Sequence, residues 1–148
     1  MQSTGQAAPA DADFADRFFW QPHASPWSVW LLVLLYPVVV LAVYRRSRWL
    51  LAGVCLSVLA NLHVVSPPED DEAWATRVVL GERVWLEQGL CTSPRDLGVL
   101  GVGGAVQLFT FRSAVARRPG RTAIGAVASM ALMFVFFGRM VRRYEAAG

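Results

Sequence analysis

Four apolar stretches separated by short charged segments dominate the chain, at residues 27–44, 49–65, 96–114 and 122–138. The first is eighteen residues long and uncharged, so as a helix it would extend about 27 Å at 1.5 Å per residue. That length is close to the roughly 30 Å of a bilayer's hydrocarbon core. The third stretch reaches it only if Arg112 extends its guanidinium to the membrane interface. The pattern therefore predicts four membrane-spanning helices.

The segment between the second and third stretches has a different character. Whereas only residues 45–48 join the first two stretches into a tight antiparallel hairpin, residues 67–88 form a long and charged connection. This connection keeps an apolar stripe of Trp74, Val78 and Trp85, a pattern typical of a helix lying on the membrane surface. We therefore predict an all-α fold, an integral membrane four-helix bundle with an interfacial amphipathic helix between spans 2 and 3.

Serine–proline pairs mark the expected helix starts, at Ser25-Pro26, Ser66-Pro67 and Ser93-Pro94. A serine hydroxyl can cap free backbone amides, and proline suits the first helical position. Glu69 and Asp96 follow the second and third serines by three residues, which is the spacing of a capping box. We expect a helix to begin at each pair.

Composition agrees with a membrane protein. Apolar residues make up 55% and charged residues 17% of the 148 residues, against roughly 45–50% and 25% in soluble domains. The length allows one domain, which we place at 13–148, after a tail at 1–12 that we expect to be disordered. The net charge is only +3 and no basic tract is interleaved with aromatics, so nucleic acid binding is not expected.

Charge is distributed unequally between the two predicted membrane sides. The segments 45–48 and 112–121 lie on one side and contain seven of the fourteen arginines, whereas all eleven acidic residues lie on the side of the termini. Orientation follows basic residues and acids contribute little, so the arginine count alone is tied. Because the two loops are short and purely basic, we predict that they are cytoplasmic in a multi-pass protein of the cell membrane.

Titratable side chains gather on the side of the termini. His23 precedes the first span and His63 ends the second, so the hairpin brings both histidines to one interface. Imidazoles and carboxylates together could bind a divalent metal or pass a proton, and the candidate metal ligands are His23, His63, Asp70 and Asp71. An enzyme at this face would add Glu82, with Arg77 or Arg139 to hold an anionic headgroup.

A structural interpretation of these residues is favoured. The acids after Pro67 complement a helix dipole, the histidines lie at the level of the aromatic belt, and ion-pair networks often resemble functional sites. The chain contains no H-x-x-x-H, H-E-x-x-H or C-x-x-C pattern, so neither a metal motif nor a cofactor is identified.

Small and polar residues within the spans predict how the helices pack. Asn61 and Gln107 are the polar groups expected at membrane depth, where such residues commonly bond to a neighbouring helix. The glycines at 98, 101, 103 and 104, together with Gly125 and Ser129, suggest close packing of the third and fourth spans. Similar small-residue faces could also join copies of the chain or a membrane partner, in addition to the lipid bilayer.

Three stretches of the chain, at 20–30, 70–85 and 138–144, resemble a family of small archaeal and bacterial integral membrane proteins that is known as a domain of unknown function. The first has the form W-x-x-H-x-[NS]-P-x-S-x-W and the second D-D-x-x-W-x-T-R-x-x-L-G-E-R. The family usually has asparagine where this chain has Ser25, and both residues can cap a helix. The resemblance implies a membrane location and no substrate, cofactor or catalytic residue.

Two classes of function remain open. The first is a structural or interaction protein, with Trp74 and Trp85 as interface anchors. The second is a membrane-face enzyme or ion-binding protein that uses the histidine and carboxylate cluster. A small transporter has less support, since the chain shows no internal repeat.

Overall fold

A computed structural model describes residues 25–64, 70–89 and 93–147, with only the backbone described at 62–64. Within these ranges the chain is all-helical, with five helices and no strand. They are α1 (Pro26–Arg45), α2 (Arg48–Val64), α3 (Trp74–Gln88), α4 (Pro94–Val115) and α5 (Pro119–Ala147). The predicted tail at 1–12 and the Ser66-Pro67 start lie outside the described residues.

Among the described helices, three are long and apolar enough to cross a membrane, namely α1, α4 and α5. The stretch predicted as the second span corresponds to α2. This helix is apolar over Arg48–Asn61 but is shorter than α1, α4 and α5. In α5 the helix continues well beyond the predicted end at residue 138, because Met140 and Val141 pack against α3 and because Arg139 and Arg143 pair with Asp96 of α4.

The prediction that the interfacial helix extends over residues 67–88 is wrong for the described residues 70–73. Residues 70–73 are not helical, and α3 begins at Trp74 with Ala73 in an extended conformation before it. Here the Asp70 carboxylate accepts a hydrogen bond from the backbone N–H of Glu72, 3.0 Å away. Such a local turn competes with the helical hydrogen bonds of the same segment.

Helices α1 and α4 begin at the predicted serine–proline pairs. At α4 the Ser93 hydroxyl accepts the backbone N–H of Asp96 at 3.4 Å, which confirms the predicted cap. At α1 the Ser25 side chain makes no capping hydrogen bond, so that cap was wrongly predicted, although Pro26 does occupy the first turn.

Two tight turns, one after α1 and one after α4, lie at the same end of the molecule. Ser47 N donates to Ala42 O and Arg118 N donates to Ser113 O, which closes the carboxyl ends of α1 and α4. Arg46 and Arg117 adopt left-handed conformations there, with φ of 54° and 51°. The Arg46 guanidinium also donates to Val115 O at 3.4 Å. We call this end of the molecule the turn face.

Helix α5 lies at the centre of the packing, in contact with α1, α3 and α4, whereas α2 packs mainly on α1. The predicted role of Asn61 is confirmed, since its Nδ2 donates to the buried Ser28 Oγ of α1 at 2.5 Å. Between α4 and α5, Gly125 lies directly against Thr110, whose hydroxyl is 3.4 Å from that of Ser129.

The glycines of α4 do not take part in this contact. No side-chain or backbone atom from another part of the structure lies within 4 Å of a Cβ placed on any of the glycines at 98, 101, 103 and 104. The prediction of close packing is therefore confirmed for Gly125 and Ser129 but wrong for these four glycines. Thr110 makes the close contact about two turns beyond Gly103, and a cavity lies between α4 and α5 at Gly103 and Gly104.

Candidate functional site

The end of the molecule opposite the turn face is organised by a close crossing of α3 and α5. Gly81 lies so near the Met140 backbone that a Cβ could not be accommodated there. Around this crossing Val78, Trp85, Met140 and Val141 form a buried cluster. The apolar stripe predicted for a membrane surface thus packs on α5, and Trp85, only 5% exposed, is not available as an anchor for a partner.

A buried carboxylate joins α4 to α5 at this end. Asp96, 2% exposed, forms ion pairs with Arg139 and Arg143, the latter at 2.5 Å. Gln88 of α3 accepts a hydrogen bond from Arg143 at 2.7 Å. Asp96 is positioned for these contacts because the capped start of α4 fixes it in the first turn. Arg139 and Arg143 can both reach it because they are four residues apart, on one face of α5.

The same residues line an open cleft of about 410 Å³, together with the exposed Arg142. We call it the arginine cleft, formed by Gln88, Asp96, Arg139, Arg142 and Arg143. Three arginines and one aspartate give its wall two net positive charges. Asp96 holds two guanidiniums in place, while Arg142 makes no ion pair among the described residues. The cleft therefore has the chemistry to bind an anion.

A second polar network lies nearby on α3 and α5. Tyr144 donates to the Asp71 carboxylate at 2.7 Å, and Arg77 pairs with Glu145 at 3.1 Å. The hydrogen bond from Tyr144 lowers the pKa of the Asp71 carboxyl group. Arg77 also donates to the backbone carbonyls of Asp71 and Glu72. These contacts tie the segment before α3 to the end of α5.

The structure divides the residues proposed from the sequence among three places. Asp71 and Arg77 share the second network, Arg139 lies in the arginine cleft, and Glu82 lies apart from both. Asp70 is exposed and takes part in its local turn. His23 lies outside the described residues, as does the side chain of His63, so the proposed metal site stays a prediction. Among the residues that are described, no three His, Cys, Asp or Glu side chains are grouped to hold a metal.

Glu82 follows Gly81 of the α3–α5 crossing and lines two cavities. The larger, about 390 Å³, is formed by Glu82 together with α4 and α5. The smaller, about 130 Å³, is shared with α1, where the buried Tyr36 hydroxyl has no hydrogen-bond partner in the described structure. Burial raises the pKa of the Glu82 carboxyl group to about 7.

Sequence reasoning missed Asp96, Arg143 and Gln88 as members of a site. Asp96 was interpreted only as a helix cap, although it is a charge at the start of an otherwise apolar helix. That signal, combined with two arginines at helical spacing on the same predicted membrane side, was available in the sequence. The contact itself joins residues 43 and 47 positions apart, which no local pattern specifies.

Comparison with known protein families identifies the family of the chain. Residues 10–147 match the model of a family described as a family of unknown function, DUF6653. No curated protein and no solved structure matches the chain. The match covers nearly the whole chain and assigns no activity to it.

Proposed function

Since this chain belongs to DUF6653, a family of unknown function, we propose its role from the geometry: it is a four-span protein of the cell membrane that binds an anionic headgroup in the arginine cleft. The spans are α1, α2, α4 and α5, with α3 at the membrane interface. The observation that carries the binding role is the buried Asp96, which holds Arg139 and Arg143 at the wall of a cleft with surplus positive charge.

The apolar surfaces of the helices support the membrane location. Large hydrophobic side chains are exposed on all four proposed spans, among them Leu34, Leu56, Leu108 and Val127, each at least 65% exposed. In water such surface would be unfavourable, at about 25 cal/mol per Å², whereas lipid accepts it. The cleft lies at the helix ends opposite the turn face, which is the expected level of lipid headgroups.

Orientation is testable with single cysteines in a variant lacking Cys55 and Cys91. We propose that the turn face is cytoplasmic, because it is purely basic. A membrane-impermeant maleimide added to intact cells is expected to label Ala146→Cys at the cleft end and to leave Ser47→Cys unlabelled. Disrupting the membrane should expose Ser47→Cys as the internal control. Labelling of both positions in intact cells, or the reverse pattern, would contradict this topology.

The binding role is testable with purified protein in maltoside micelles. Native mass spectrometry is expected to show preferential retention of phosphatidylglycerol over zwitterionic phosphatidylcholine. Arg142→Gln should weaken phosphatidylglycerol binding about tenfold, equivalent to ~1.4 kcal/mol, because Arg142 is the guanidinium that no other described residue pairs with. Added salt should also weaken binding, since the site is open to solvent.

The matched control is Arg121→Gln, which removes the same charge from the other end of α5 and should leave binding unchanged. Glycerol 3-phosphate, which carries the phosphate without acyl chains, distinguishes a lipid from a soluble anion as the ligand. Equal retention of the two lipids by the unaltered protein, or equal effects of the two arginine substitutions, would refute a headgroup site in the cleft.

A further inference from the structure

The larger cavity beside Glu82 has a single acidic group in a largely apolar wall. Helix α4 contributes Gly103, Gly104 and Gln107, while α5 contributes Phe136 and Phe137 among other apolar residues. The volume of about 390 Å³ falls within the roughly 300–1,000 Å³ of small-molecule sites, which are mostly apolar with a few polar groups. The composition of the wall is thus that of a ligand site rather than of a packing defect.

The shape of the cavity depends on the glycines of α4. The positions where Cβ atoms of Gly103 and Gly104 would lie have no neighbour within 4 Å, so the missing side chains leave open space along the helix. The cavity wall on α4 extends from Val99 to Gln107, about 12 Å at 1.5 Å per residue. Such a space accommodates an apolar chain or ring that extends from Glu82 along α4.

The charge of the cavity is uncompensated. Glu82 forms no ion pair within the described ranges, and none of the residues lining either of its cavities is cationic. The next residue, Arg83, pairs with Glu87 at 3.0 Å. The other polar groups facing the two cavities are Gln107 from α4 and Tyr36 from α1, while α5 contributes apolar side chains alone.

We propose that this cavity binds a lipophilic amine, whose ammonium group pairs with the Glu82 carboxylate and whose apolar part lies between α4 and α5. Charge complementarity selects the ammonium, because a carboxylate in an apolar wall gains most from an opposite charge. Phe136 and Phe137 line the same cavity, and aromatic rings add attraction for an ammonium ion. The site is separate from the arginine cleft and does not depend on its ligand.

Binding should depend on pH in a direction that the environment of Glu82 fixes. Because burial places the pKa of this carboxyl group near 7, Glu82 is largely protonated and neutral at pH 6 and ionised at pH 8. An alkylammonium ion stays protonated throughout this range, since amines of the lysine type titrate near pH 10. Affinity for the amine is therefore expected to rise between pH 6 and pH 8.

The test measures binding of radiolabelled octylamine to the full chain in maltoside micelles by equilibrium dialysis, after subtraction of protein-free micelles. The unaltered protein should bind one octylamine at pH 8 and bind octanol, the uncharged analogue of equal length, at least tenfold more weakly. Glu82→Gln should reduce octylamine affinity at least tenfold and remove its pH dependence. Glu87→Gln, an exposed carboxylate on the same helix, should have no effect.

A second variant tests the location without altering the charge. Gly104→Leu places a side chain in the open space and should also reduce octylamine binding, while Arg142→Gln should leave it unchanged. Undiminished octylamine binding by either Glu82→Gln or Gly104→Leu would overturn the proposal. So would equal binding of octanol and octylamine, which would indicate an apolar groove for a lipid chain.

Discussion

Asp96→Asn is expected to destabilise the protein by about 3 kcal/mol, because it leaves two arginines without their counter-charge. Removing one partner of a buried ion pair typically costs about 3–5 kcal/mol. The lower end applies here, since the Arg139 and Arg143 side chains are 27% and 19% exposed and water can partly solvate them. Asparagine preserves the shape of the side chain, so the effect isolates the charge. The measurement is the free energy of unfolding in mixed micelles titrated with SDS.

The control for this substitution is Glu87→Gln, which breaks the exposed Arg83–Glu87 pair. Exposed pairs one helical turn apart contribute only about 0.3–0.5 kcal/mol. If both substitutions changed the free energy of unfolding by the same small amount, Asp96 would not hold α4 and α5 together in the way described.

Gly81→Ala is expected to have a comparable effect through backbone contact rather than charge. The added Cβ would overlap the Met140 carbonyl group, so α3 and α5 could remain together only by separating their backbones. Overpacking typically costs about 1–3 kcal/mol, and the upper end applies because no flexible side chain can yield. The packing of Trp85 against Phe136, with ring centroids 5.6 Å apart, should loosen as well. Tryptophan fluorescence and the SDS titration would report both changes.

Gly98→Ala provides the matched comparison, since nothing lies within 4 Å of its added Cβ. Alanine is favoured over glycine inside a helix by about 0.8–1.0 kcal/mol, so this variant should be slightly more stable than the unaltered protein. Equal stability of the Gly81 and Gly98 variants would show that the crossing is not a tight contact.

Hydrophobic patterning predicted the helices well because each apolar stretch is a local property of the chain. The bounds of α1 and α4 followed from it directly, and so did the amphipathic character of α3. Patterning was less informative at residues 70–73, where a hydrogen bond of Asp70 to its own segment replaces the first helical turns. It also could not decide at which level along α4 the helix touches α5, since small residues occur along much of α4.

The arginine cleft and the Glu82 cavity were harder to predict because they depend on tertiary contacts. Glu82 and Arg139 were proposed from their side of the membrane, and the structure places them at different sites. Their chain neighbours Gly81 and Met140 are in contact at the α3–α5 crossing, yet Glu82 lines a cavity whereas Arg139 pairs with Asp96. A glycine in a helix reveals little by itself, since the open glycines of α4 look the same in the sequence.

At the two tight turns of the turn face, the conformational energy of the backbone conflicts with the membrane topology that we propose. Arg46 and Arg117 hold φ values near +50°, a region that disfavours a residue with a Cβ by roughly 1–2 kcal/mol and suits glycine. In the topology that we propose, these two guanidiniums belong to the basic loops that stay on the cytoplasmic side. At these two positions, glycine would relax the backbone but would remove a positive charge on which the proposed orientation depends.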